Sequence, residues 1–96
     1  MLNVIRSFKS VDTELLWNTG KSRRIPATIR RATLKKLAIL HWATKLSDLK
    51  VPAGNRLESL TGDRKGQHSL RINDQYRLCF VWQESDAFDV EITDYH

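Results

Sequence analysis

Asp94, Tyr95 and His96 stand in consecutive positions at the C-terminal end of the chain, an acid, a phenol and an imidazole together. Histidine titrates closest to neutrality, and a neighbouring Asp or Tyr can orient its ring, so the trio has the residue types of an acid–base group. A structural cap is the alternative for a terminal histidine. Two further residues suit phosphate chemistry. Arg71 and Arg77 flank the short connection Asn73-Asp74, and in a β-hairpin both turn to the same side of the sheet. Their forked donors match the oxygens of a phosphate. The competing reading is a pair of surface arginines neutralised by Asp74, Glu84 or Asp89.

The elements that must position these groups follow from the pattern of apolar residues. Val4-Ile5-Arg6-Ser7-Phe8 reads as a short opening strand. Ser10 or Asp12 can cap a first helix through Leu15, Leu16 and Trp17, which Gly20 ends by accepting the left-handed conformation. Pro26 suits the first turn of a longer helix predicted to continue to about Leu46, its second half apolar around most of the circumference. Val51-Pro52-Ala53-Gly54-Asn55 marks the switch from helical to strand periodicity.

Four extended segments follow: Arg56 to Leu60, Gln67 to Ile72, Tyr76 to Trp82, and a last strand carrying Phe88, Val90 and Ile92. The order β-α-α-β-β-β-β predicts an α+β fold, an antiparallel or mixed sheet with two helices packed on one face and the other face open. His68, Leu70, Ile72, Leu78, Phe80 and Trp82 are assigned to the core side, and Ser69, Arg71, Arg77 and Cys79 to the open side. Strict alternation sets Asp94 and His96 with Phe88, Val90 and Ile92 on the core side, away from the arginine pair. Only a bulge, or a strand end beyond the helices, turns them.

With 96 residues, of which 41% are hydrophobic and 28% charged, the chain is expected to form a single domain over 1–96. The single cysteine, Cys79, lies in an apolar run and reads as a small buried hydrophobe. No segment approaches the roughly 20 apolar residues that cross a bilayer, and no signal-peptide core opens the chain, so cytoplasmic residence without membrane contact is expected. Zinc is not expected, because His41, His68, His96 and Cys79 lack paired ligand spacing, and no other cofactor is indicated. His41 and His68 are read as structural.

Charge is unevenly divided. Residues 1–50 carry eleven basic and three acidic side chains, a net +8, and residues 51–96 carry five and eight, a net −3. The basic half attracts a polyanion or an acidic protein partner, or is a solvated helix face.

The run from Gly54 to Phe80, with Gly62-Asp63-Arg64-Lys65-Gly66 and Leu70-Arg71-Ile72-Asn73-Asp74-Gln75-Tyr76-Arg77 within it, followed by Asp94-Tyr95-His96, resembles the HigB toxins of bacterial type II toxin–antitoxin systems. These belong to the RelE/ParE superfamily, and the likeness is greatest to the GraT-like branch. It extends from about Ile5 to the last residue and leaves residues 1–3 outside.

The resemblance implies a metal-independent endoribonuclease that enters the ribosomal 30S A site and cuts mRNA by attack of a ribose 2′-OH on the adjacent phosphate, arresting translation and growth. It implies neutralisation by a HigA-type helix-turn-helix antitoxin, and contact with operator DNA through that complex. By resemblance, His96 is the general acid, flanked by Tyr95 and Asp94. Arg77 stabilises the phosphate in the transition state and Arg71 is a neighbouring basic strand residue. Tyr95 or Trp82 can stack a base.

Asp94 is the first choice of general base and Glu58 the second. Some HigB toxins carry His and Lys where this chain has Glu58 and Thr61, which implies a mild or selective enzyme. Arg23, Arg24, Arg30, Arg31, Lys35, Arg64 and Lys65 are expected to contact RNA or the ribosome. Two other readings stay open: a non-catalytic gyrase poison like the ParE relatives, and an interaction module that acts only with its antitoxin on DNA.

Overall fold

The computed structural model describes residues 4–94, so Tyr95, His96 and residues 1–3 lie outside the described residues. Helix α1, Val11–Thr19, starts where the Ser10 side chain accepts the Thr13 N–H at 3.2 Å. It stops at Gly20, whose φ of 79° lets its N–H donate to the Leu16 carbonyl at 2.7 Å. Both boundaries are those the residue types dictate.

Helix α2, Ala27–His41, buries Ile29, Thr33, Leu37 and Leu40, a spacing that keeps them on one face. The helical pattern expected to reach Leu46 ends at His41. Downstream, Asp48 Oδ2 accepts the Thr44 and Lys45 amides at 3.0 and 3.2 Å and the Thr44 hydroxyl at 2.9 Å, which starts the 3-10 turn Leu46–Lys50 in place of further α-helix. Those donors hold the Asp48 carboxyl below its ordinary range.

The sheet is antiparallel in the order β1 (Glu58–Ser59), β2 (Gln67–Arg71), β3 (Tyr76–Gln83), β4 (Asp86–Asp94). The opening segment forms no extended strand of its own. It lies parallel to β4, bridged at Ile5 to Ala87 and Phe8 to Val90, with Arg6 and Lys9 amides donating to the Ala87 and Val90 carbonyls. These isolated bridges are parallel, whereas the four strands pair antiparallel throughout. Both helices cover one face, where Leu16, Leu37 and Leu40 meet Leu70, Leu78, Phe80 and Val90 in one core cluster.

Two irregularities change the side-chain alternation. The β3–β4 register shifts between Cys79 and Val81, and Asp89 takes a φ of 54°. Phe88 consequently pairs with Val81, outside the core cluster, while Ala87 and Val90 are fully buried within it. The expected alternation Phe88–Val90–Ile92 is corrected to Ala87–Val90–Ile92, because the bulge at Asp89 inserts one residue.

Candidate active site

The face assigned as open is not bare. Ser69 and Cys79 are fully buried there, and Arg77 is 9% exposed. Arg64 donates from Nη1 to Gln67 Oε1 at 3.0 Å and Glu91 Oε2 at 3.1 Å, and Glu91 stands opposite Cys79 in the ladder. This polar cover raises the Cys79 thiol pKa chiefly by burial, against the hydrogen bond with Thr93.

Beside that cover lies an open depression of about 480 Å³ lined by Arg56, Glu58, Arg71, Asn73, Asp74 and Arg77. The hairpin brings Arg71 and Arg77 into it as a directly opposed cross-strand pair, one on β2 and one on β3. Neutral oxygens fix Arg77. Its Nε donates to Ser69 Oγ at 2.7 Å and its Nη2 to the Arg56 carbonyl at 2.5 Å, while Glu58 Oε1 stands 3.7 Å from Nη2. Among the described residues Nη1 makes no hydrogen bond. Arg71 Nη2 donates to Asp74, a carboxylate 98% exposed, as the surface-pairing alternative foresaw.

The Arg56 carbonyl reaches Arg77 because Arg56 itself adopts a φ of 44° at the end of a tightly held loop. Asn55 holds that loop. It is fully buried, donates from Nδ2 to the Leu49 and Val51 carbonyls at 3.2 and 3.1 Å, and accepts from Lys36 Nζ at 2.6 Å. Burial, then the cations of Lys35 and Arg71, lower the Lys36 pKa below its ordinary 10.5. Lys36, Asn55 and Arg56 are residues the sequence reading missed. The Gly-Asn-Arg step after a proline was the available signal, since such a turn favours left-handed backbone.

Other expected residues are placed elsewhere. Asp94 does not join the arginine pair. It stands opposite Tyr76 on β4, accepts from Gln75 Nε2 at 3.2 Å, and lines a second cleft of about 260 Å³ with Ser10, Asp12, Arg24 and Tyr76 on the helix side. The bulge at Asp89 precedes it and leaves it in step with Ile92. Glu58, ranked second as base, shares the depression and is the carboxylate paired with Arg77, whereas Asp74 pairs with Arg71. Trp82 packs against the core, edge-on to Phe80, and not beside the arginines.

Of the basic residues expected to meet RNA, Arg23, Arg24, Arg31, Lys35 and Lys65 are exposed. Arg30 turns back, its Nε donating to the Ile25 carbonyl at 2.9 Å, and Arg64 is engaged with Glu91.

Two helices backing one face of a four-stranded antiparallel sheet define a small α+β protein, with a directly opposed arginine pair in the open depression. YafQ from E. coli shares the fold, with a TM-score of 0.60 at 18% identity over 97% of this chain and 93% of that one. YoeB from Staphylococcus aureus gives 0.53 at 17% identity, over 98% and 97%.

Sequence comparison carries this further: residues 6–96 match the family described as RelE-like toxin of type II toxin–antitoxin system HigB, and the chain belongs to that family. It is 43% identical to Toxin HigB-1 of Vibrio cholerae over 83 residues, 85% of this chain and 87% of the relative. Endoribonuclease HigB of Proteus vulgaris is 29% identical over 93 residues, 97% of this chain and all of the relative. Among the described residues, no helix is long and apolar enough to cross a membrane.

Proposed function

We propose that this toxin is a metal-independent endoribonuclease that cuts mRNA on the ribosome, binding the scissile phosphate between Arg71 and Arg77. The observation that carries the reading is that opposed pair, set in a solvent-open depression with Arg77 oriented by neutral acceptors. The reaction needs a base for the 2′-OH, positive charge for the pentacoordinate phosphorane, and an acid for the departing 5′-oxygen.

Arg77 presents the charge. Its Nε and Nη2 are spent on Ser69 and the Arg56 carbonyl, so the guanidinium is oriented before RNA arrives and needs no reorganisation when charge develops. Arg71 exchanges its exposed partner Asp74 for a phosphate oxygen. Glu58, beside Arg77, takes the 2′-OH proton, and the 2′-oxygen attacks phosphorus to leave a 2′,3′-cyclic phosphate. His96 protonates the 5′-oxygen, and Tyr95 stacks on a flanking base. These two assignments rest on residue chemistry and family resemblance. The exposed Arg23, Arg24, Arg31, Lys35 and Lys65 contact the phosphate backbone.

Family membership supports an antitoxin as partner. A HigA-type helix-turn-helix protein, operator DNA bound through the complex, the 30S A site and cytoplasmic residence complete the reading.

The test is to express the chain without antitoxin beside Arg77→Ala and His96→Ala, mapping transcript ends by primer extension. New 5′ ends from the parent and their loss in both variants are expected. Ends that persist undiminished in Arg77→Ala overturn the phosphate assignment. Intact transcripts with altered DNA supercoiling would transfer the chain to the gyrase-directed class.

A further inference from the structure

The two residue pairs of the β1–β2 ladder face opposite sides of the sheet. Glu58, opposite Ser69, belongs to the arginine depression, where Ser69 also holds Arg77. The next pair, Ser59 opposite His68, faces the helix side and lines a separate open groove of about 420 Å³ with Leu46, Ser47, Lys50 and Leu57. The groove runs between the 3-10 turn Leu46–Lys50 and the sheet edge. Only a two-residue strand separates it from the depression, so a single-stranded polynucleotide crossing that rim reaches both sides.

The lining suits one occupant. Leu46 and Leu57 are half-buried apolar walls, and the His68 ring is stacked on Phe80 with centroids 6.1 Å apart. An aromatic or imidazole face beside aliphatic walls holds a flat π-system, and Ser47, Ser59 and His68 offer the short polar contacts that read its edge. Lys50, exposed at the groove's margin, supplies a cation for the attached phosphate. His68 Nδ1 is buried and has no hydrogen-bond partner among the described residues, which leaves Nε2 as the ring atom for an edge contact.

We propose that this groove is a nucleobase subsite, which takes an unpaired base of the same RNA strand whose phosphate lies between Arg71 and Arg77. The proposal rests on the endoribonuclease reading and adds to it a place where base identity is sensed. Ser59 and His68 contact the base, and Lys50 its phosphate.

The test compares the base composition around mapped cleavage sites for the parent, Ser59→Ala, Lys50→Ala and His68→Phe, the last retaining a ring that can stack. Preference is a ratio among sites cut by one protein, so a fall in folded protein does not alter it. The parent is expected to favour one base at one position beside the cut by roughly tenfold, and Ser59→Ala and His68→Phe to reduce that to about threefold or less. An unchanged preference in all three variants overturns the subsite while leaving the nuclease reading intact. Loss of neutralisation by the antitoxin with unchanged base preference also overturns it, and assigns the groove to a protein partner. A parent that cuts no RNA removes both readings.

Discussion

Arg71 and Arg77 oppose each other directly across the β2–β3 ladder. Like charges so placed disfavour the sheet by roughly 0.2–1 kcal/mol, and the pair persists because Asp74 ties one guanidinium and Ser69 with the Arg56 carbonyl ties the other. A dianion between them relieves the repulsion. Inorganic phosphate at ten times its Kd is therefore expected to stabilise the fold by about 1.4 kcal/mol, a melting-temperature rise of roughly 6–11 °C for a chain of this size. Scanning fluorimetry in phosphate against chloride at equal ionic strength measures it. Arg71→Ala should lose most of the rise, and an equal rise in the variant would put the anion elsewhere.

Arg77→Lys tests orientation apart from charge. A lysine ammonium is a point donor, so it cannot serve Ser69 Oγ and the Arg56 carbonyl at once and still face the depression. Transcript cleavage is expected to fall about 10²- to 10³-fold, the scale of removing one oriented transition-state donor. Primer extension at matched protein level reads the loss. A variant retaining more than a tenth of the parent's activity would show that charge alone suffices.

Local chemistry made much of this architecture legible. Ser10 and Gly20 bound α1 because a hydroxyl cap and a left-handed glycine act within four residues of themselves. The β2–β3 hairpin was readable from Asn73-Asp74 and the flanking alternation, and it delivered the arginine pair. Three features escaped, two for local reasons that alternation and helical periodicity do not register and one for a tertiary reason. The end of α2 depends on Asp48 capturing amides from the following turn. The face of Phe88 depends on a bulge at Asp89, whose φ of 54° an aspartate tolerates but period-two alternation does not register. The cover over Cys79 depends on Arg64 reaching Glu91, the residue opposite Cys79, across 27 positions of sequence. Separation of Asp94 from the arginines followed from alternation alone, and β4 preserves it.

Asn55 links the fold to the site. Replacing it by Ala strands the Leu49 and Val51 carbonyls and releases Lys36. A buried group left unsatisfied costs about 1–3 kcal/mol, and two carbonyls place Asn55→Ala near 3 kcal/mol. Urea unfolding at neutral pH measures this. Lys36→Met, which removes a partly exposed donor, should cost less. A loss below 1 kcal/mol in Asn55→Ala would mean that the loop repacks without it.

His68 makes stability depend on pH with a defined sign. Burial depresses its folded-state pKa below the ordinary 6.5, so the unfolded chain binds the proton first as pH falls. The contribution is whole above 6.5 and is lost as pH falls from there through the folded-state value. Urea midpoints at pH 7.5 and pH 5.5 should therefore differ more for the parent than for His68→Phe. Equal differences would show that the ring titrates as freely folded as unfolded.

The last prediction separates the two carboxylates that compete as general base. Glu58 shares the depression with Arg71 and Arg77, its Oε1 3.7 Å from Arg77 Nη2. Asp94 lies in step with Ile92 and lines the cleft on the opposite face with Arg24 and Tyr76. A base must come within hydrogen-bond reach of the 2′-OH beside the bound phosphate, and the phosphate site is on Glu58's side of the sheet. Glu58→Gln, which keeps shape and removes basicity, should lower transcript cleavage about 10²- to 10⁴-fold, whereas Asp94→Asn should lower it less than tenfold. Single-turnover cleavage on programmed ribosomes gives both rates without a contribution from product release. The reverse ranking would mean that RNA crosses the sheet edge with its reacting ribose on the helix side, and that the arginine pair binds a neighbouring phosphate instead of the scissile one.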